Sequence, residues 1–148
     1  MQKGITIIET LLVLAVISLL VASATVFYYS FLADYQLGTD TTEILGVLRL
    51  AQSKAMAEEG GLKFGVHFSS HQYILFAGDS YALRNADYDE IYDTSSAVTL
   101  SWAFGGTNDV IFEKLIGTPN NAGTVTLTNV DNKFNTTSVN AAGKIELQ

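Results

Sequence analysis

The sequence has no cysteine, a single proline, and eight lysines and arginines against fifteen carboxylates. Without cysteine there is no disulfide framework, no thiolate metal site and no cysteine nucleophile, so an exported domain must hold by packing alone. The net charge of −7 and a pI near 4.6 argue against nucleic acid as a partner, because a phosphate-binding surface needs basic side chains grouped on one face. The eight here are scattered. No Gly-x-Ser-x-Gly elbow occurs and no spacing sets a nucleophile against a base, so no catalytic residue is assigned and no enzyme is expected.

Charge is also missing over one long stretch. Thr10 to Ala33 is 24 residues without a charged side chain, glycine or proline. At about 1.5 Å per helical residue this makes roughly 36 Å, enough to cross the hydrocarbon core of a bilayer. At 148 residues the chain then has room for this anchor and one domain.

What stands at the edge of the run is a carboxylate, Glu9. An ionised carboxylate within hydrocarbon costs roughly 3 kcal/mol on insertion scales, so a residue of this kind usually has a partner and a task. A secretory signal peptide would have a shorter apolar core and a small-residue cleavage site after it. Ala22, Ser23 and Ala24 could serve as that site, but the apolar sequence continues through Val26–Leu32, which suits a retained helix. A plain single-pass anchor explains the length but not Glu9. Lys3 and the acidic remainder place the start in the cytoplasm and everything after Ala33 outside, with Tyr28, Tyr29 and Phe31 as an interfacial aromatic belt.

Lys3-Gly4, then Ile5-Thr6-Ile7-Ile8-Glu9, then a long apolar helix, resembles the N-terminal signal of type IV prepilins and pseudopilins. The resemblance implies a leader, residues 1–4, with Lys3 as its charge. It implies cleavage by a prepilin peptidase between Gly4 and Ile5, N-methylation of Ile5, and an assembly role for Glu9 with Thr6 beside it. Ile5 departs from the family's usual Phe at the first mature position. Leu48-Arg49-Leu50-Ala51-Gln52-Ser53-Lys54-Ala55 and the closing Ala142-Gly143-Lys144-Ile145-Glu146-Leu147 resemble segments of the minor pseudopilin H and FimT-like minor pilin family. Many relatives carry a proline or glycine within the membrane helix. Ile5 to Leu37 has neither, which predicts a straighter rod.

After the span, Asp40-Thr41-Thr42-Glu43 has the capping-box pattern and taken alone would start a new helix at Thr41. Ile44, Val47, Leu48, Ala51 and Ala55 then recur at helical spacing, with Glu43, Arg49, Gln52 and Glu58 on other faces. The resemblance implies instead one continuous helix to Glu59, stopped by Gly60-Gly61, with a weak point at Gly38. The expected parts are therefore 5–33, the membrane-spanning and polymerising half of the helix; 34–59, its amphipathic half; and 60–148, a β-rich globular domain.

Beyond Gly61 the apolar period becomes two. Strands are expected at 62–69, 72–77, 97–104, 110–115, 124–129, 133–138 and 144–147. Ser69-Ser70-His71 should close one hairpin and Gly105–Asn108 a second, with a longer loop over 117–123. The fold class is α+β, pilin-like: a long N-terminal helix packed on an antiparallel sheet or sandwich. Tyr73, Phe76, Trp102, Phe104, Phe112 and Phe134 are core candidates, about one in five of them exposed.

Three other groupings have bland readings that outweigh the functional ones. Asn85–Asp93 concentrates four carboxylates of the kind that suits Ca²⁺, but lacks the glycine and terminal glutamate of an EF-hand; it reads as a solvated acidic loop whose tyrosines meet partners. His67 and His71 could approach across a hairpin but have no evident third ligand, so no metal and no cofactor is expected. Asn135-Thr136-Thr137 fits the glycosylation pattern, which indicates only that Asn135 is near the surface.

The resemblance thus implies a minor pilin or pseudopilin of a type IV pilus or type II secretion pseudopilus. Its partners would be the prepilin peptidase, other pilin subunits, an inner-membrane assembly platform and membrane lipid. It would sit in the cytoplasmic membrane and then in a periplasmic or extracellular filament. Two alternatives stand beside it: a DNA-capturing minor pilin of a competence pilus, which needs a local basic patch, and a membrane-anchored extracytoplasmic β-sandwich binding module, for which the N-terminal match would be accidental.

Overall fold

The computed structural model describes residues 4–148, and the chain divides into two compact units, one ending at Leu32 and the other running Ala33–Gln148. A single helix, α1 (Ile7–Met56), supplies the first unit and continues into the second. It is long and apolar enough to cross a membrane. In the first unit Leu11, Leu12, Leu14, Ile17, Leu19 and Leu20 are all exposed, so the chain itself offers them no cover.

From Ala33 onward the helix is amphipathic. Ala33, Leu37, Ile44, Val47, Leu48, Ala51 and Ala55 are buried, at steps of three, four and seven that keep them on one stripe. The backbone stays helical through Gly38, whose carbonyl accepts the Thr42 hydroxyl at 2.9 Å, so no break occurs there. The helix ends at Met56, three residues short of the expected Glu59, because Glu58 turns left-handed at φ 50° before Gly60 and Gly61 do the same.

Eight strands follow: β1 (Phe64–Phe68), β2 (Gln72–Ala77), β3 (Asn85–Asp93), β4 (Val98–Ala103), β5 (Asp109–Phe112), β6 (Gly123–Asn129), β7 (Phe134–Val139) and β8 (Ile145–Leu147). They form two four-stranded antiparallel sheets, β3-β2-β1-β5 and β4-β6-β7-β8. The α+β, pilin-like class is the one observed. Alternation drives each sheet: Phe64, Val66, Phe68, Tyr73 and Leu75 on the first, and Val98, Leu100, Val125, Leu127 and Val139 on the second, join the helix stripe in one core. Phe68 stacks on Phe104 at 5.4 Å between centroids, and Trp102 lies 6.0 Å from Phe68. Of the six aromatic core candidates, Tyr73, Phe76, Phe104 and Phe112 are buried, Trp102 is half-buried and Phe134 is exposed.

Two expectations are corrected. Asn85–Asp93 is not an acidic loop but the nine-residue strand β3, paired with β2. It is an edge strand, where charged side chains are tolerated, and its carboxylates mask the alternation that places Tyr88, Glu90 and Tyr92 on one face. Gly105–Asn108 does not close a hairpin within a sheet. β4 and β5 lie in different sheets, and the turn, pinned by the Phe104–Thr107 bridge with Gly105 and Gly106 at positive φ, carries the chain from one to the other. The hairpin at Ser69–His71 is as expected, with Ser69 N–H bonded to the Gln72 carbonyl at 2.9 Å.

Candidate functional site

Thr6 precedes α1 and caps it. Its carbonyl accepts the N–H groups of Glu9 (3.1 Å) and Thr10 (3.2 Å), and its hydroxyl accepts Glu9 N–H at 3.3 Å. Thr6-x-x-Glu9 is thus a capping-box spacing, and it sets Glu9 in the first turn, where the helix dipole favours a negative charge. Gly4 and Ile5 lie just before the helix and are exposed; Lys3 lies outside the described residues. Ile5, Glu9, Thr10, Val13 and Leu14 line a shallow open hollow on one side of the helix. Among the described residues the Glu9 carboxylate has no hydrogen-bond or ion-pair partner.

In the second unit polar side chains of α1 fasten the helix to the sheets. Asp34 Oδ1 accepts Asn129 Nδ2 at 3.0 Å, and its other oxygen pairs with Lys133. The buried Asp40 accepts Ser95 N–H at 2.8 Å and the Ser95 hydroxyl at 2.9 Å, so the apparent N-cap of a second helix instead secures the link between β3 and β4. Asn135 Nδ2 donates to Thr41 Oγ1 at 3.1 Å. Gln52, expected on an outer face, is half-buried and donates to the carbonyls of Gly117 (2.8 Å) and Gly143 (2.7 Å). Both glycines have positive φ, and a Cβ on Gly143 would meet Gly117 O at 2.5 Å. Residues 55 to 99 positions apart carry no joint signature in a sequence read in short windows, so these anchors escape it.

The carboxylates of β3 are divided rather than gathered. Glu90 accepts Lys54 Nζ at 2.9 Å and the Tyr92 hydroxyl at 2.7 Å, and these bonds lower its pKa. Asp89 pairs with Arg84 at 2.7 Å, raising the arginine's pKa further. The strand's half-buried tyrosines pack on neighbouring rings: Tyr88 meets Phe64 edge-on at 5.9 Å and Tyr92 stacks on Tyr73 at 5.3 Å. Burial and its bond to Glu90 push Tyr92 up to about 12. Tyr73 is fully buried, and among the described residues its hydroxyl has no hydrogen-bond partner; burial first, then the nearby Glu43 carboxylate, push its pKa well up.

His67 contacts Asp109 through Nδ1 and stacks on Tyr81 at 3.8 Å, with the Arg84 guanidinium 3.9 Å from the centre of the same ring. These partners, rather than His71, occupy it. Among the described residues no three histidine or acidic side chains gather to hold a metal ion.

No protein-family model and no curated protein matches the sequence. Two solved structures of the minor pseudopilin EpsH, from the type 2 secretion system of Vibrio cholerae, do match in fold. Each superposes with a TM-score of 0.60 at 11% identity; one covers 76% of this chain and 96% of the other, the second 78% and 94%. At this identity the likeness is one of architecture, and the fold of this chain is that of the pilin and pseudopilin family.

Proposed function

We propose that this chain is a structural subunit of the type IV pilin class, a minor pseudopilin or minor pilin of the H or FimT-like kind. It is cut between Gly4 and Ile5, methylated at Ile5, and built into a filament through the helix from Ile5 to Ala33. The observation that carries the reading is Glu9: a carboxylate without a partner among the described residues, in the first turn of an exposed apolar helix that leads into a domain of pilin-like fold.

Cleavage after Gly4 would release an α-amine at Ile5 that is positively charged near neutral pH. On a neighbouring subunit it would meet the Glu9 carboxylate, and each charge would offset the desolvation of the other. Losing one member of a buried pair costs about 3–5 kcal/mol because the other is left uncompensated. The rest of the assembly energy would come from van der Waals packing of apolar helices, since moving a helix from lipid to an equally apolar bundle gains little hydrophobic energy. Thr6, by capping the helix, holds the first turn in which this exchange takes place. Residues 34–148 would face away from the cytoplasm and present the sheets to neighbouring subunits or cargo.

Glu9→Leu and Glu9→Ala subunits should insert into membranes as the native chain does yet be missing from sheared filaments. Recovery of either variant in filaments at the native level would defeat the pairing.

A further inference from the structure

We infer that the free edge of β3 is a docking site for an extended, basic segment of another protein, which joins the first sheet as an added strand beside Ile91 and Asp93. The inference concerns the second unit alone and does not depend on the role of the N-terminal helix.

The first ground is the backbone. Thr94 N–H bonds the His71 carbonyl at 2.9 Å, and β3 then pairs with β2 in the register Asp93 with Gln72, Tyr92 with Tyr73, Ile91 with Ile74 and Glu90 with Leu75. Bonded and non-bonded pairs alternate along an antiparallel ladder. The peptide groups of Tyr92 and Glu90 therefore face β2, and those of Ile91 and Asp93 point away from it. The far side of β2 agrees, since Ser69 N–H bonds the Gln72 carbonyl and so Gln72 and Ile74 turn their peptide groups to β1. Among the described residues nothing bonds the N–H or C=O of Ile91 or Asp93. The opposite edge of the same sheet is closed: Asn120 N–H bonds the Ile111 carbonyl at 2.8 Å, and Asn120 Oδ1 accepts Ile111 N–H at 2.9 Å.

The second ground is the side chains. Ile91 is 63% exposed and shares the outer face of β3 with the exposed Asp93. Glu90 and Asp89 are held by Lys54 and Arg84, but Asp87 and Asp93 are exposed and have no ion-pair partner among the described residues. The open edge thus offers peptide groups and an apolar side chain, with a free carboxylate toward either end. It suits an incoming strand that sets a β-branched residue against Ile91 and a lysine or arginine on each side of it.

The same charges exclude a second copy. Antiparallel pairing of two β3 edges centred on Ile91 would set Asp93 against Asp89, and like charges directly opposite are destabilising. Nor can another strand of a second copy serve, because no two lysines or arginines in this chain stand four residues apart. The carboxylates that keep acidic strands off this edge favour a basic one.

The test uses the full chain in detergent micelles and three peptides. One is Thr-Lys-Thr-Val-Thr-Lys-Thr, one has both lysines replaced by glutamate, and one is the lysine peptide N-methylated at valine. The lysine peptide should bind and slow amide exchange at Ile91 and Asp93, leaving Tyr92 and Glu90, already bonded to β2, unchanged. N-methylation keeps every charge and side chain but removes the N–H that meets Ile91, so it should weaken binding about tenfold. Asp93→Asn should weaken it several-fold, and the glutamate peptide should not bind. Equal binding of the methylated peptide would mean charge attraction without strand pairing and would overturn the inference. So would failure of the lysine peptide to bind, binding that ignores Asp93→Asn, or binding that leaves exchange at Ile91 and Asp93 unaltered. Slowing at these two amides that rises with protein concentration, without peptide, would mark pairing between copies and overturn it as well.

Discussion

Gln52 joins three parts of the second unit: the helix, the loop at Gly117 and the turn before β8. Replacing it by alanine removes both bonds and leaves two carbonyls in a partly closed site. Gln52→Ala should therefore lower stability by about 1–3 kcal/mol, read from chemical denaturation of the full chain in detergent. Tyr73 predicts the opposite behaviour. Its hydroxyl is buried without a hydrogen-bond partner among the described residues, so Tyr73→Phe should leave stability near neutral pH within about 1 kcal/mol of native or slightly raised. Tyr73 and Tyr92 both have pKa values raised above the ordinary 10 of an unfolded tyrosine. Their contribution is complete below pH 10 and falls as pH rises toward and past 12, because the unfolded chain then loses protons that the folded chain keeps. Thermal unfolding followed across that range should show a steep alkaline decline in the native protein and a shallower one in Tyr73→Phe. Residues such as these were hard to foresee. Asp40-Thr41-Thr42-Glu43 has the local form of a helix start, but Asp40 spends its carboxylate on Ser95, and nothing near it in sequence announces that partner.

At the scale of elements, the helix stripe and most strands were legible because their signal is local and repeats. Ile44, Val47, Leu48, Ala51 and Ala55 are spaced for one helix face, and β2 has the bounds that its apolar run between two turns suggests. β3 was not legible, since on an edge strand the charged residues that protect it from pairing also erase its pattern. The distribution of β4 and β5 between two sheets was also hidden, because a Gly-Gly turn looks the same whether it closes a hairpin or carries a strand across the core. Two glycines separate tolerance from need. A Cβ on Gly38 would meet nothing within 4 Å in a helical backbone, so Gly38→Ala should stabilise by about 0.5–1 kcal/mol. A Cβ on Gly65 would sit 2.6 Å from Val110 O, so Gly65→Ala should push β1 from β5 and cost about 1–3 kcal/mol. Opposite shifts in denaturation midpoint would confirm both; a gain at Gly65 would contradict the packing of the first sheet.

The whole molecule joins an apolar helical unit without internal cover to a domain with a complete core of its own. The pilin-like fold has the same two parts, and under the proposed function the first would be covered by lipid or by other subunits. The sequence near Glu9 pointed to this arrangement because a lone carboxylate beside an uncharged run is costly and therefore conspicuous. The two sheets, by contrast, carry no comparable signal, and the long-range side-chain bonds described above hold them to Ala33–Met56. The central claim is that Gly4-Ile5 is a processing site and Ile5 the modified start of an assembling helix. The intact mass and N-terminal sequence of the protein extracted from its native membranes test it most directly. The account predicts a chain beginning at N-methylated Ile5, with Gly4 substitutions blocking the cut; a chain that keeps Met1, or one cut near Ala24, would contradict it.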